Sequence, residues 1–146
     1  MIEQEKFSRV GLCHGCFDLC HYGHLLHFQE SKMNCDYLVV SITSDTFVNK
    51  ESGRPIYTQH ERKSLIEALK PVDKVIISNY ETAIESIKKI SPSIFFKGPD
   101  YEGSTDNRFL LEKKCCEEIN CRVYFTKSQK YSTTEFIRKC QKIELN

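Results

Sequence analysis

The sequence predicts an α/β fold: a single Rossmann-like domain over residues 1–146, with a five-stranded parallel sheet and helices on both faces. Its length of 146 residues suits one domain with one hydrophobic core. Strand-like and helix-like segments alternate from end to end, without an internal repeat, a low-complexity stretch or a linker. Strands that alternate with helices pair in parallel through right-handed crossovers.

The strand predictions rest on short apolar runs rich in β-branched and aromatic residues. The clearest of them contains Leu38-Val39-Val40 and Ile42. Such runs are typical of strands buried on both faces. The five predicted strands are Val10–Cys13, Tyr37–Ile42, Val72–Ile77, Ser93–Lys97 and Arg122–Phe125.

The helix predictions rest on apolar periodicity and on start and stop signals. Thr58-Gln59-His60-Glu61 is a capping box, and Pro71 is expected to end the helix that it opens. This helix should bury Leu65, Ile66 and Leu69. The other predicted helices are Tyr22–Met33, Tyr80–Ile90, Asn107–Ile119 and one opened by a second capping box, Ser132-Thr133-Thr134-Glu135.

Charge and hydropathy exclude several classes of partner. The net charge is +1 and Lys and Arg form no block, so no nucleic-acid partner is expected. No apolar segment is long enough to span a membrane, and Met1–Lys6 is charged where a signal peptide would be apolar. We therefore expect a cytoplasmic protein without a membrane partner.

The chain has eight cysteines, which without an export signal should be reduced thiols. Cys13, Cys16 and Cys20 lie among histidines, so a zinc-binding interaction module is one alternative. No second paired-cysteine knuckle follows at zinc-ribbon spacing. The cysteines that follow residue 100 are expected to be small core residues: Cys115, Cys116, Cys121 and Cys140.

The turn after the first predicted strand carries the strongest functional signal. His21 and His24 flank Gly23 where a helix should begin. Unpaired N–H groups at a helix N-terminus attract anions, and the two imidazoles add further donors, while glycine lets phosphate oxygens come close. This combination favours a phosphate-binding site.

Further polar residues follow the other strands at the same predicted edge. Ligands of open parallel sheets bind at the carboxyl ends of the strands. Asp18 either fixes its turn by hydrogen bonding or binds magnesium, and Arg62 either contacts a ligand or pairs with a neighbouring acid. The remaining candidates at this edge are Asp45, Lys50, Arg54, Lys97-Gly98-Pro99-Asp100-Tyr101 and Ser132-Thr133-Thr134.

Gly15-Cys16-Phe17-Asp18 followed by His21-Tyr22-Gly23-His24 resembles the signature of the cytidylyltransferase-like nucleotidyltransferases, which carry an HxGH motif. The resemblance runs from about Val10 to about Lys139. It is closest to the sugar-phosphate or polyol-phosphate branch, which includes glycerol-3-phosphate cytidylyltransferase and heptose-1-phosphate adenylyltransferases, some fused to a sugar kinase. Other segments in family order are Asp45–Lys50, Gly53-Arg54-Pro55, Glu61-Arg62, Val72-Asp73, Lys97–Tyr101 and Ser132–Thr134.

The resemblance implies transfer of a nucleoside monophosphate from a triphosphate to a phosphorylated small molecule, with release of pyrophosphate and with Mg²⁺ as cofactor. It also implies a homodimer as one assembly. The roles that it suggests are catalytic for His21, His24, Lys50 and Lys97; nucleotide-binding for Gly15, Cys16, Phe17, Asp18, Gly23, Ser132, Thr133 and Thr134; acceptor-binding for Asp45, Arg54, Arg62, Asp100 and Tyr101; and Mg²⁺-binding for Asp18.

One departure bears on the substrate. Glycerol-phosphate cytidylyltransferases place Arg-Thr-Glu-Gly-Ile before the final Ser-Thr-Thr, whereas this chain has Lys127-Ser128-Gln129-Lys130-Tyr131, which disfavours glycerol phosphate. The leading expectation is transfer of CMP from CTP to a sugar or polyol phosphate in a surface-polysaccharide pathway. The alternatives are an adenylyltransferase that uses ATP and a non-catalytic nucleotide-binding regulator.

Overall fold

The computed structural model describes residues 8–48, 52–128 and 131–143. Five parallel strands form one sheet in the order β3-β2-β1-β4-β5, which confirms the predicted fold class. The strands are β1 Val10–Gly15, β2 Tyr37–Thr43, β3 Lys74–Ser78, β4 Ile94–Lys97 and β5 Arg122–Phe125. The helices are α1 Tyr22–Met33, α2 Gln59–Glu67, α3 Ile84–Ile90, α4 Asn107–Glu118 and α5 Thr133–Ile143.

Two hydrophobic clusters cover the two faces of the sheet. One contains Phe28 of α1 and Ile66 of α2 against side chains of β1, β2, β3 and β4. The other contains Ile87 of α3 and Cys116 of α4 against Leu12 and Phe95. Helices therefore pack on both faces, as the alternating pattern predicts.

Several predicted details are wrong. The third helix begins at Ile84 rather than Tyr80, because residues 80–83 form bends and the side-chain carboxylate of Glu112 accepts the Ala83 N–H. Helix α2 ends at Glu67, before Pro71, and Leu65 is 44% exposed because it lies on the outer side of this helix. Cys140 is exposed on α5, whereas Cys115, Cys116 and Cys121 are buried as predicted.

The strand order reverses at β1, which lies between β2 and β4. Loops that leave β1 and β4 diverge to opposite sides of the sheet at this point, so a crevice opens outside their carboxyl ends. Most of the predicted functional residues that the structure describes line this crevice. None of the helices in the described ranges is long and apolar enough to cross a membrane.

Candidate active site

Helix α1 begins in a capping arrangement made by two imidazoles. Nδ1 of His21 accepts the Gly23 N–H at 3.1 Å, and Nδ1 of His24 accepts the His21 N–H at 3.3 Å. A ring nitrogen that accepts a hydrogen bond carries no proton, so the neutral form of both rings is protonated on Nε2. Partial burial lowers the pKa of His21, which favours this neutral form. The capping geometry thus turns both imidazoles into Nε2–H donors.

Both imidazoles line a cavity of about 340 Å³ at the carboxyl edge of the sheet. Their rings stack with centroids 3.8 Å apart and an angle of 15° between the planes. The volume lies within the range of roughly 300–1,000 Å³ typical of small-molecule sites. Lining residues that the sequence predicted are Gly15, Cys16, Phe17, Asp18, His21, Gly23, His24, Arg54, Lys97, Asp100, Tyr101, Ser132, Thr133 and Thr134.

Gly23 is needed where α1 meets the segment that precedes α5. A Cβ atom on Gly23 would lie 2.7 Å from the Cβ of Tyr131. The Tyr131 ring also makes an edge contact with the Tyr22 ring, with centroids 5.9 Å apart. Gly23 therefore permits Tyr131 to pack closely against the start of α1 in the wall of the cavity. Tyr131 was not among the site residues predicted from the sequence.

A second helix start faces the same cavity. Ser132 Oγ accepts the Glu135 N–H at 3.4 Å, and Ser132, Thr133 and Thr134 all line the cavity. Their hydroxyls and the N–H groups of the first turn of α5 are donors for an anion. The structure thus places two donor-rich helix starts around one space, as the sequence predicts.

Lys97 ends β4 and is held by aromatic rings and one carboxylate. Its Nζ lies 3.9 Å from the centre of the Tyr101 ring and 3.6 Å from Glu112 Oε1. Glu112 is buried, and its Oε2 accepts the Ala83 N–H at 3.0 Å. A cation between an aromatic face and a buried carboxylate has little freedom, so its charge is fixed at the carboxyl end of β4.

Asp18 fixes the turn after β1 to the segment before α2. Its carboxylate accepts the N–H groups of Ile56 at 2.8 Å and Tyr57 at 3.0 Å, and Nε of Arg54 at 2.6 Å. Burial alone would raise the pKa of Asp18, but these donors outweigh it and hold the pKa below its usual value. The expected role as a Mg²⁺ ligand does not fit this arrangement, because both carboxylate oxygens already accept hydrogen bonds.

The other described residues give no better metal site. Within residues 8–48, 52–128 and 131–143, no group of three or more His, Cys, Asp or Glu side chains could hold a metal ion. Cys13, one of the cysteines considered for zinc, is buried and directs its thiol to Ser31 Oγ at 3.4 Å. Burial raises its pKa to about 12, which disfavours the thiolate that binds metals.

Arg62 and Asp45 are placed differently from the expectation that they contact the acceptor. Arg62 is completely buried on α2, and its guanidinium donates to Asp45 Oδ1 at 2.7 Å. Neither residue lines the cavity described above. Buried Arg62 therefore joins α2 to the segment after β2 instead of facing a ligand, whereas Asp45 is partly exposed and its expected contact with the acceptor stays a prediction. Lys50, an expected catalytic residue, lies outside the described residues.

A second cavity of about 330 Å³ adjoins the first. Lys97, Tyr101 and His14 line both cavities, so the two spaces meet at the ends of β1 and β4. Nδ1 of His14 is 3.1 Å from Ser41 Oγ, which is itself 2.7 Å from Ser86 Oγ. Polar residues dominate the remaining wall of the second cavity: Thr43, Glu81, Thr82, Asp106, Arg108 and Glu112.

Two histidines at this site were missed as site residues by the sequence reasoning. His14 is the penultimate residue of the buried β1. His27 follows His24 by three residues on α1, a spacing that places His24 and His27 on one helix face. That spacing was the available signal for His27. Burial and the Lys97 charge lower the pKa of both His14 and His27 to about 4, so both imidazoles are neutral near pH 7.

These low pKa values predict acid sensitivity of the fold. The unfolded chain protonates its histidines near pH 6.5, whereas folded His14 and His27 resist protonation until about pH 4. Because the unfolded state then binds more protons, stability falls as pH decreases between these values, by about 1.4 kcal/mol per pH unit for each histidine. Urea unfolding between about pH 7.5 and about pH 4.5 measures this slope.

The matched comparison for this prediction uses two single variants. His27→Gln is expected to remove the share of the slope that His27 contributes. His60→Gln, at an exposed position of α2, is the control variant for the loss of a histidine. Equal slopes for wild type and His27→Gln would contradict the prediction.

Comparison with known proteins agrees with this fold. A sequence profile described as cytidylyltransferase-like matches residues 12–139. The chain belongs to the cytidylyltransferase-like family of nucleotidyltransferases.

Two curated relatives that match this chain are bifunctional proteins. The bifunctional protein HldE of Wolinella succinogenes is 38% identical over 142 residues, which are 94% of this chain and 28% of the relative. HldE of Campylobacter fetus is 36% identical over 129 residues, covering 86% of this chain and 26% of the relative. The chain thus spans about a quarter of the length of the curated relatives that it matches.

A solved structure supports the fold. The lipopolysaccharide core biosynthesis protein from Thermoplasma volcanium superposes with a TM-score of 0.67 and 27% identity. The match covers 85% of this chain and 98% of that protein. Nearly the whole of that protein therefore aligns with this chain.

Proposed function

We propose that this chain transfers the adenylyl group of ATP to a phosphorylated sugar and releases pyrophosphate. The observation that carries the proposal is the pair of Nε2–H donors of His21 and His24, which share a cavity with the donor-rich start of α5. Two such anion sites suit a triphosphate, with one at the bond that breaks and one at its far end.

The relatives support ATP over CTP as the nucleotide substrate. They are bifunctional proteins, and the chain matches about a quarter of their length. Such a partial match is what a nucleotidyltransferase fused to a sugar kinase would give, and within the sugar-phosphate branch that fusion occurs among heptose-1-phosphate adenylyltransferases. The adenylyl alternative therefore has better support than the CTP preference expected from the sequence.

The proposed acceptor site is the second cavity. Arg108 can pair with the acceptor phosphate, and the carboxylates of Glu81 and Asp106 can accept hydrogen bonds from sugar hydroxyls. Lys97 lines both cavities, so it lies where the acceptor phosphate would meet the α-phosphate of ATP. The lipopolysaccharide-related structural neighbour supports a sugar as the phosphorylated substrate.

The reaction requires no nucleophilic side chain. An oxygen of the acceptor phosphate attacks the α-phosphorus of ATP, and the bond from that phosphorus to the oxygen bridging to the β-phosphorus breaks as pyrophosphate leaves. The protein aligns the two phosphates and stabilises the charge that develops, through His21, His24, Lys97 and the N–H groups of the helix starts. In this proposal Mg²⁺ enters as part of the ATP substrate, because the described residues offer it no carboxylate cage.

The proposal is tested by pyrophosphate release with ATP and with CTP, each in the presence of Mg²⁺ and a panel of sugar and polyol phosphates. We expect turnover with ATP and a sugar phosphate. Turnover with CTP alone would favour the cytidylyl reading. Binding of ATP without turnover across the panel would favour a nucleotide-binding regulator, and absence of both binding and turnover would exclude the nucleotidyltransferase function.

A further inference from the structure

A third histidine of α1, His27, lines the cavity of about 340 Å³ that we assign to the triphosphate. Its hydrogen bonding differs from that of His21 and His24. His27 lies one helical turn beyond His24, and its Nδ1 is 2.8 Å from Thr126 Oγ1. We propose that His27 recognises the nucleoside of the bound triphosphate by accepting a hydrogen bond at Nε2 from an N–H or O–H group. This inference rests on the proposed function, since it assigns a contact within the same nucleotide site.

The neighbouring hydroxyl fixes the tautomer of His27. Thr126 is buried, and its Oγ1 is 3.3 Å from the carbonyl oxygen of Lys97. A carbonyl oxygen can only accept, and a hydroxyl has a single hydrogen to donate. Both contacts are satisfied together only when Thr126 donates to Lys97 and His27 Nδ1–H donates to Thr126. His27 therefore carries a lone pair on Nε2.

His27 suits a different ligand group from the one that His21 and His24 suit, because its tautomer is the reverse of theirs. His21 and His24 accept backbone N–H groups at Nδ1 and therefore offer Nε2–H, which suits phosphate oxygens. His27 has the reverse tautomer, and a lone pair does not suit an anion. In the part of the chain that the structure describes, the His27 ring makes one hydrogen bond, to Thr126.

Distance along the helix indicates which part of the nucleotide His27 meets. Three residues advance an α-helix by about 4.5 Å, so His27 lies deeper than the donors at the helix start. A nucleotide whose phosphates occupy the helix start places its nucleoside beyond them. Two groups of ATP there can donate a hydrogen bond: the exocyclic amine of adenine and the ribose hydroxyls.

The affinities of nucleotide analogues for the wild-type chain distinguish the adenine amine from the ribose hydroxyls as the donor to His27. Calorimetry would compare ATP with purine riboside triphosphate, which lacks the amine, and with 2′-deoxy-ATP and 3′-deoxy-ATP. We expect one of these analogues to bind roughly 5- to 100-fold more weakly than ATP, the range for a lost hydrogen-bond partner. Loss with purine riboside triphosphate assigns the amine, and loss with a deoxy nucleotide assigns that hydroxyl. Equal binding of all four nucleotides would overturn the proposal.

Variants of His27 test whether the affinity lost with that analogue depends on the His27 side chain. His27→Leu should weaken ATP binding by the same factor, and the analogue that lost affinity in wild type should lose no more in this variant. His27→Gln, whose amide oxygen reaches the position of Nε2, should recover part of the affinity. His60→Gln is the matched surface control and should bind ATP as wild type does. An undiminished affinity in folded His27→Leu would refute the assignment.

A measurement without any variant tests the tautomer itself. Nitrogen NMR of the histidine rings in the unliganded wild-type chain should show the His27 proton on Nδ1; a proton on Nε2 would overturn the proposal. The calorimetry also distinguishes failure of the proposed function from failure of the His27 contact alone. If wild type does not bind ATP, the proposed function and this inference both fall, whereas ATP binding that is independent of His27 leaves the proposed function standing and rejects the His27 contact.

Discussion

His24→Ala is expected to lower kcat roughly 100- to 1,000-fold, the cost of removing one preorganised donor to charge that develops in a transition state. Nε2–H of His24 is fixed by the hydrogen bond that Nδ1 accepts from the His21 N–H. Its loss removes a donor from the cavity that we assign to the triphosphate. Steady-state pyrophosphate release with saturating ATP and acceptor measures the effect.

His24→Asn distinguishes catalysis from helix capping. The asparagine oxygen can take the place of Nδ1 and accept the His21 N–H, but nothing then replaces Nε2–H. We expect this variant to melt near the wild-type temperature and to be nearly as slow as His24→Ala. If His24→Asn retained full activity, the donor role of His24 would be refuted.

Arg62→Leu is expected to lower the free energy of unfolding by about 3–5 kcal/mol, because it leaves the polar partners of a buried cation unpaired. Arg62 donates to the carbonyl oxygens of Tyr57 at 3.1 Å, Cys16 at 2.8 Å and Thr43 at 2.7 Å. Domains of this size are stable by only about 5–15 kcal/mol, so the loss is a large share of the total. Urea denaturation monitored by circular dichroism provides the value.

Two comparison variants accompany this prediction. Lys63→Ala removes an exposed charge that pairs with Glu67 on the same helix, and should cost less than about 0.5 kcal/mol. Arg62→Lys keeps the charge but loses the fork of donors, and its stability should fall between those of wild type and Arg62→Leu. A loss for Arg62→Leu no larger than that for Lys63→Ala would mean that the buried contacts of Arg62 contribute little.

The sequence predicted the elements near the site better than those elsewhere. The start of α1 was recognisable because His21, Gly23 and His24 are local in the chain, and the Thr58 to Glu61 capping box was recognisable for the same reason. The start of α3 was placed too early because the competing contact, from Glu112 of α4 to the Ala83 N–H, joins residues 29 positions apart. Periodicity carries no information about such a pairing.

Site residues divide in the same way. Lys97 and Ser132 could be assigned to one edge because the carboxyl ends of parallel strands meet there. The sequence could not decide whether Arg62 contacts a ligand or pairs within the protein. An arginine on a helix has the same sequence pattern whether it faces a ligand or lies completely buried among carbonyl oxygens. Asp18 is a parallel case, since its partners Ile56 and Tyr57 are nearly forty residues away.

The sequence by itself determined the fold class, the edge of the sheet that carries the candidate site, and the family, since hydrophobic alternation and helix-start motifs depend on residues that are neighbours in the chain. Tertiary structure alone decided which polar side chains face the cavity and which form hydrogen bonds and ion pairs within the protein. It also decided which nitrogen of each histidine carries the proton: His21 and His24 meet backbone donors in their own helix turn, whereas His27 meets Thr126 at the end of a distant strand. Hydrogen-bond roles depend on the partner across space, and residue type does not fix that partner.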